Sequence, residues 1–156
     1  MDLRALDLPQ GATALEESLI HETLSSLDPK TAVMVEPDSS VRDAVTTMVD
    51  NNIGCVLVGR GRAVIGIFSE RDVLVKFAGR MTEAGDEPVR RYMTPNPEML
   101  ESSTALAFGL NRMSLGDFRH LPITKQGRFE GILSLRDFLG LLFRWYPDLD
   151  DADGGV

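Results

Sequence analysis

A seven-residue pattern occurs in both halves of this chain and constrains its fold more than any other feature. Residues 66–72 read Gly-Ile-Phe-Ser-Glu-Arg-Asp, and residues 131–137, 65 positions later, read Gly-Ile-Leu-Ser-Leu-Arg-Asp. The same offset aligns residues 29–79 with residues 94–144 without a gap. A repeated unit of this kind is one supersecondary piece that buries its apolar face against its neighbour. The chain is therefore predicted to fold as two packed copies of one unit.

The spacing of apolar residues predicts the same order of elements in each half: strand, helix, strand, hairpin, strand and helix. Continuous apolar runs such as residues 55–58 are typical of buried strands, and with the helices they place the chain in the α/β class. Ser69 and Ser134 are expected to cap the last helix of each unit. Leucines at helical spacing predict one further helix at residues 13–27, before the first unit.

Composition excludes several classes of protein. The net charge of −8 disfavours a nucleic-acid partner, because an acidic surface repels phosphate backbones. Cys55 is the only cysteine, so the chain has neither an internal disulfide nor a cysteine metal cluster, which suits a reducing cytoplasm. No apolar stretch reaches the roughly 20 residues of a membrane-spanning helix, and no membrane association is expected.

An enzyme is not expected either. Ser134, His120 and Asp137 contain the residue types of a hydrolase triad, but Ser134 and Asp137 are better explained as one helix start. The first half has the same Ser and Asp without a histidine, and the only other histidine, His21, lies on the N-terminal helix. A triad needs a base that a third group orients. Metal-ligand spacings are also absent, so neither a metal nor a cofactor is predicted.

The repeated motif supplies the chemistry of a ligand site. In each half an aspartate, Asp72 or Asp137, follows the helix-starting serine by three residues, so its carboxylate lies in the first helical turn. A carboxylate there can accept two charge-assisted hydrogen bonds from a ribose diol. The serine hydroxyls and the amides of the helix N-termini offer a place for an anion, and Arg71 and Arg136 could reach a phosphate.

The order of these motifs resembles that of the cystathionine β-synthase (CBS) domain, a unit of roughly 60 residues that occurs in tandem pairs. The resemblance rests on Met-Thr-Pro at residues 93–95, on Arg-His-Leu-Pro-Ile at residues 119–123 and on the two seven-residue motifs. It implies two CBS repeats that form one pseudo-two-fold module with an N-terminal helix. The expected division is an N-terminal segment at 1–23, repeat 1 at 24–80, a linker at 81–88, repeat 2 at 89–146 and an acidic tail at 147–156.

The resemblance also implies clefts that bind AMP, ADP, ATP, NAD or S-adenosylmethionine. The aspartate of each repeat would hold the ribose, with Ser69, Arg71, Ser134 and Arg136 beside it. Arg119 and His120 stand where related sensors place basic residues against phosphate. The segments expected to line the adenine are Thr31, Ala32 and Val33, and Asn96, Pro97 and Glu98.

Simpler interpretations of the same residues stay open. Asp72 and Asp137 also fit a role as first-turn carboxylates that stabilise a helix by about 0.3–1 kcal/mol. Arg71 and Arg136 also fit as solvated helix arginines, and His120 as a structural histidine at a strand edge. Repeat 1 has Gly54 and Cys55 where repeat 2 has Arg119 and His120, so it lacks one set of cations for a phosphate. The pair in repeat 2 could serve either cleft, and whether both clefts bind a ligand stays open.

The function that follows is regulatory: an adenine nucleotide or other adenosyl ligand is sensed, and its binding is signalled to an effector protein. The alternative is a ligand-free dimerisation or scaffold module. A homodimer is expected under both, because the two motif helices are apolar nearly all round and must bury a second face.

Overall fold

The computed structural model describes residues 10–79 and 81–145, so the predicted acidic tail at 147–156 lies outside the described residues. The α-helices of the described residues are α1 (Gln10–His21), α2 (Val41–Asp50), α3 (Glu70–Phe77), α4 (Met81–Ala84), α5 (Leu106–Gly116) and α6 (Leu135–Trp145). The strands are β1 (Met34–Val35), β2 (Cys55–Arg60), β3 (Ala63–Ser69), β4 (Thr94–Pro95), β5 (Leu100–Glu101), β6 (His120–Lys125) and β7 (Arg128–Ser134).

The strands of the described residues form two sheets, one built on each repeat, and β4 from the start of repeat 2 joins the sheet of repeat 1. The first sheet has the order β1-β2-β3-β4 and the second the order β5-β6-β7. In both sheets the short first strand runs parallel to the second, and the second and third form an antiparallel hairpin. The α/β class and the two CBS-like repeats predicted from the sequence are therefore confirmed.

The two repeats exchange the segments at their N-terminal ends. Leu24, the first residue of repeat 1, donates its amide to the carbonyl of Thr104 in repeat 2 at 2.8 Å. Val89, 65 positions later, donates to the carbonyl of Ser39 in repeat 1, also at 2.8 Å. Both side chains are fully buried, Leu24 in the core of the second half and Val89 in the core of the first. Each repeat therefore completes its core with a residue that the other supplies.

Each half has its own hydrophobic core between its sheet and its helices. Val56, Val58 and Phe68 are the strand residues that fill the first core, and Leu121, Ile123 and Leu133 are their counterparts in the second. All six side chains are fully buried. Full burial of one such side chain contributes about 1.5–3 kcal/mol. The two cores thus hold the sheets in place, and the sheets in turn position the starts of the helices.

The N-terminal helix is shorter at its C-terminal end than predicted. It begins at Gln10, three residues before the expected start at residue 13, and ends at His21. A separate 3-10 turn covers Leu24–Leu27. The helix cannot continue because the carbonyl of Glu22 accepts the amide of Leu106 at 3.0 Å, and Leu24 is bonded to Thr104. Tertiary pairing with repeat 2 therefore overrides the helical periodicity of residues 13–27.

Candidate functional site

A carboxylate is fixed at the start of each motif helix. Asp137 Oδ2 accepts hydrogen bonds from the Ser134 amide at 2.6 Å and from the Ser134 hydroxyl at 2.7 Å. Asp72 Oδ2 accepts the same two bonds from Ser69, at 2.8 and 2.9 Å. Ser69 is the N-cap residue of α3, as predicted. Because Oδ2 holds each side chain in place, the second oxygen, Oδ1, is the atom available to other groups.

A lysine contacts Oδ1 in both halves, but the two lysines come from different places. Lys30 Nζ lies 3.1 Å from Asp137 Oδ1, and Lys76 Nζ lies 2.6 Å from Asp72 Oδ1. Lys30 lies near the start of repeat 1, before β1, and reaches Asp137 because it pairs with Ile132 on β7. Lys76 lies one helical turn beyond Asp72 on α3. A cation at Oδ1 is therefore a feature of both repeats.

The register of the exchanged segments explains this difference. Lys30 donates its amide to the carbonyl of Ile132 at 3.0 Å. The 65-residue offset places Pro95 at the corresponding position, opposite Ile67, but proline has no amide hydrogen to donate. Thr94 lies opposite Ile67 instead, and Pro95 lies opposite Gly66. The slip of one residue puts Thr94, not a cation, where Lys30 lies in the other half.

Opposing effects set the pKa of Asp137. Burial alone would raise the pKa of this carboxyl, whose side chain is 12% exposed. The hydrogen bonds from the Ser134 hydroxyl and amide and the contact with Lys30 lower it, and the net pKa lies below the ordinary value. Asp137 is therefore a carboxylate at neutral pH, which is the form that accepts hydrogen bonds from hydroxyl groups.

The larger of two clefts surrounds Asp137. It has a volume of about 860 Å³. Its lining joins both repeats and brings together eight of the predicted site residues, whose grouping the sequence left open: Thr31, Ala32, Val33, Arg119, His120, Ser134, Arg136 and Asp137. Arg136 makes no hydrogen bond or ion pair with any described residue. The guanidinium of Arg136 is thus available to an anion.

A smaller cleft of about 350 Å³ surrounds Asp72. Of the residues proposed from the sequence, Ser69, Arg71, Asp72, Arg119 and His120 line it. Asn96 and Pro97, which were expected to line the adenine here, do not belong to its lining; Thr94 takes that place because of the slip in β4.

Arg71 is already engaged in this smaller cleft. Its Nη1 donates to the Asp117 carbonyl at 2.8 Å, and its Nη2 lies 2.7 Å from Asp117 Oδ2. These contacts account for the raised pKa of Arg71 and the lowered pKa of Asp117. The phosphate contact predicted for Arg71 would therefore compete with an existing ion pair.

Arg119 and His120 line both clefts and lie between them. The imidazole of His120 rests against Gly54, where a Cβ atom would lie 3.0 Å from His120 Nε2. Burial lowers the pKa of His120 and the charge of Arg119 lowers it further, while Glu70 and Asp137 oppose the shift. His120 is consequently neutral at pH 7, and Gly54 is the residue that makes room for it.

The sequence profile of the CBS domain family matches residues 25–79 and 89–144. This chain belongs to the CBS domain family. An uncharacterised 17.7 kDa protein of Acidianus ambivalens is 34% identical over 106 residues, a match that covers 67% of this chain and 63% of that protein. The crystal structure of a CBS-domain-containing protein from Agrobacterium tumefaciens is 30% identical, with a TM-score of 0.68 over 75% of this chain and 93% of that one.

A further CBS structure shares the fold at lower identity and carries a ligand. It is a CBS domain protein from Pyrobaculum aerophilum complexed with AMP, which is 20% identical to this chain. The TM-score is 0.68, and the alignment covers 80% of this chain and 98% of that one. At this identity the likeness establishes the fold alone.

The CBS clefts also contain residues that the motifs did not indicate as site residues. Lys30, Lys76, Thr94 and Asp117 all line one of the two clefts. Lys76 carries a local signal, because it lies four residues after Asp72 on a helix, where opposite charges pair. Asp117 carries none, since its partner Arg71 is 46 residues away in the sequence.

Among residues 10–79 and 81–145, no helix has the length and apolar character to cross a membrane. Within the same ranges, no group of three or more histidine, cysteine, aspartate or glutamate side chains is arranged to hold a metal ion.

Proposed function

We propose that this CBS pair is a regulatory module that binds an adenine nucleotide or another adenosyl ligand and signals its binding to an effector protein. The observation that carries the proposal is the Asp137 cleft. It combines a fixed carboxylate, three cationic side chains and a volume of about 860 Å³. Ligand pockets for small molecules commonly measure about 300–1,000 Å³. The AMP complex of the Pyrobaculum aerophilum protein supports the ligand class.

The proposed roles follow from the chemistry of each group. Asp137 Oδ1 accepts the ribose hydroxyls, while its other oxygen stays bonded to Ser134. Thr31 and Ala32 lie on the lining of the same cleft and offer backbone and side-chain contacts to the adenine. Arg119 and Arg136 are the cations for a phosphate. Lys30, whose side chain is 72% exposed, can turn from Asp137 to the phosphate at little cost.

The proposed module has no catalytic role of its own. Ser134 and Asp137 are bonded to each other at a helix start, which leaves the serine hydroxyl donating to the carboxylate and not to His120. A nucleophilic serine needs a neighbouring base to accept its proton. Location in a reducing cytoplasm is part of the same proposal, on the evidence of the single cysteine.

A homodimer is part of the proposal as well. Leu74 and Val75 on α3 are 71% and 73% exposed, and Leu139 and Phe143 on α6 are each 44% exposed. Large apolar side chains on two equivalent helices are a surface that a second copy of the chain would cover. A two-fold contact between the same helices would be self-complementary.

A specific observation favours the ligand-free scaffold as the second candidate. Both oxygens of Asp72 and of Asp137 already have partners within the chain, a serine at Oδ2 and a lysine at Oδ1. Such carboxylates stabilise the helix starts without any ligand. Under this alternative the clefts bind nothing, and the module serves only to hold chains together.

A thermal-shift screen separates the two candidates. AMP, ADP, ATP, NAD, S-adenosylmethionine and GTP are each added at concentrations up to the millimolar range. A ligand at 100 times its dissociation constant adds about 2.7 kcal/mol to the free energy of unfolding. For a chain of this size that raises Tm by about 5–10 °C. A rise with adenosyl ligands but not with GTP supports the sensor, and no rise with any of them supports the scaffold.

A further inference from the structure

The two CBS clefts differ in one ion pair that joins the repeats. Arg71, at the start of α3, holds both the backbone carbonyl and the carboxylate of Asp117, the residue that ends α5. Arg136 occupies the same position in repeat 2 as Arg71 in repeat 1. Arg136 has no such partner among the described residues. The motif arginine is therefore occupied in the Asp72 cleft and available in the Asp137 cleft.

One side chain accounts for this difference. The residue that corresponds to Asp117 in repeat 1 is Asn52, which lines the Asp137 cleft. The two residues have the same backbone conformation, with φ of 52° at Asp117 and 51° at Asn52. Asparagine and aspartate both tolerate this left-handed region better than other residues with side chains. At this position repeat 2 therefore has a carboxylate where repeat 1 has an amide, and the backbone is equivalent in the two repeats.

That exchange changes the charge that each cleft presents to a ligand. Three cations face three carboxylates in the Asp72 cleft: Arg71, Lys76 and Arg119 against Glu70, Asp72 and Asp117. Three cations face two carboxylates in the Asp137 cleft: Lys30, Arg119 and Arg136 against Glu70 and Asp137. His120 borders both clefts and does not distinguish them. Only the Asp137 cleft has an excess of positive charge for a phosphorylated ligand.

We propose that the module binds one phosphorylated ligand, in the Asp137 cleft, and that Asp117 excludes a second from the Asp72 cleft. This inference rests on the proposed nucleotide function and adds the number of ligands that each module binds. The ion pair is exposed, with Arg71 48% and Asp117 80% accessible, so it contributes little to folding. Its effect is on ligand binding instead. Asp117 occupies the guanidinium of Arg71 and places a negative charge beside the position that a phosphate would take.

Exchanging the two residues between the repeats tests the proposal. The variants are Asp117→Asn, which gives repeat 2 the residue of repeat 1, and Asn52→Asp, which does the reverse. Both keep a residue that accepts the left-handed conformation, so both are expected to fold. Calorimetry with AMP measures the number of sites and their affinities, and adenosine serves as the matched ligand without phosphate.

The wild-type chain should bind one AMP, and Asp117→Asn should add a second site. A unit charge about 4 Å from a phosphate changes affinity about fivefold even at the dielectric constant of water, and more where the site is partly buried. Asn52→Asp should therefore weaken AMP binding about fivefold or more at the Asp137 cleft. Neither exchange should alter the affinity for adenosine. The double variant Asp117→Asn, Asp72→Ala should return to one site, which would assign the new site to the Asp72 cleft.

Two outcomes overturn the inference while the nucleotide function stands. They are two AMP sites of similar affinity in the wild type, and one unchanged site in both exchanged variants. Absence of AMP binding in the wild type and in both variants would refute this inference for AMP. The thermal-shift screen of the other adenosyl ligands then decides separately whether the proposed function survives.

Discussion

Replacing Asp137 with alanine distinguishes a role as a helix cap from a role as a ligand contact. A cap alone predicts a loss of stability, whereas a ligand contact predicts a loss of stability together with a loss of ligand affinity. The substitution removes the two hydrogen bonds that Oδ2 accepts from Ser134 and the contact of Oδ1 with Lys30. Loss of a capping side chain costs about 0.5–2 kcal/mol of stability. The exposed Lys30 adds at most about 1 kcal/mol. We expect the free energy of unfolding to fall by about 0.5–3 kcal/mol on either interpretation.

Ligand affinity distinguishes the two roles. A hydrogen bond to a charged group contributes about 1.5–3 kcal/mol, so loss of even one to a ribose hydroxyl weakens binding at least about tenfold. The matched variant Asp137→Asn keeps an oxygen that can accept a hydrogen bond, and its affinity should fall less. Asp72→Ala removes the equivalent cap from α3 and serves as the control for stability.

The assay pairs urea unfolding with calorimetry on the same preparations, using AMP or whichever adenosyl ligand raises Tm in the screen. The ribose assignment predicts lower stability together with weaker binding for Asp137→Ala. If stability falls and affinity is unchanged in Asp137→Ala, in Asp72→Ala and in the double variant, these carboxylates are helix caps only. The assignment of Oδ1 as the acceptor of the ribose hydroxyls would then be wrong.

Three further predictions follow from the same clefts and surfaces. Arg119→Ala should weaken binding of AMP but not of adenosine in matched titrations; equal losses for the two ligands would reject the phosphate contact. Light scattering after gel filtration should give a dimer mass, with a shift to monomer in Leu74→Glu, Leu139→Glu; a monomer mass for the wild type at every concentration would contradict the interface. Because burial lowers the pKa of His120 in the folded chain, the unfolded state takes up its proton first as pH falls below about 6.5. Stability should therefore drop in that range, and His120→Gln should reduce the slope of unfolding free energy against pH; an unchanged slope would exclude the effect.

The lowered pKa of His120 also changes an expectation drawn from the sequence. An unperturbed histidine titrates near pH 6.5, and a phosphate contact would then weaken as pH rises through that value. In the structure the imidazole is packed against Gly54, and the range in which its charge changes moves to lower pH. Sequence alone could not show this, because the shift arises from burial between two repeats.

The sequence predicts the frame of the fold well because the repeat itself carries the information. The offset of 65 residues identifies the two units, and the spacing of Ser and Asp identifies both helix caps. The exchange of Leu24 and Val89 between the cores is not visible in this pattern, since the periodicity is the same whichever sheet covers each residue. The slip at Thr94 is also hidden, because the two halves align without a gap.

The site is harder to predict than the fold because its distinguishing residues lie at repeat positions where the two copies differ. The fold needs the same backbone at Asn52 and Asp117, and both residues supply it. Their side chains differ only in charge, and that charge matters only because Arg71 comes within 2.7 Å of Asp117 through the packing of the two repeats. A pseudo-symmetric fold therefore fixes where each cleft lies. We propose that single side chains at the rim decide which anions each cleft accepts, and that in this chain they make the Asp137 cleft the more favourable place for a phosphate.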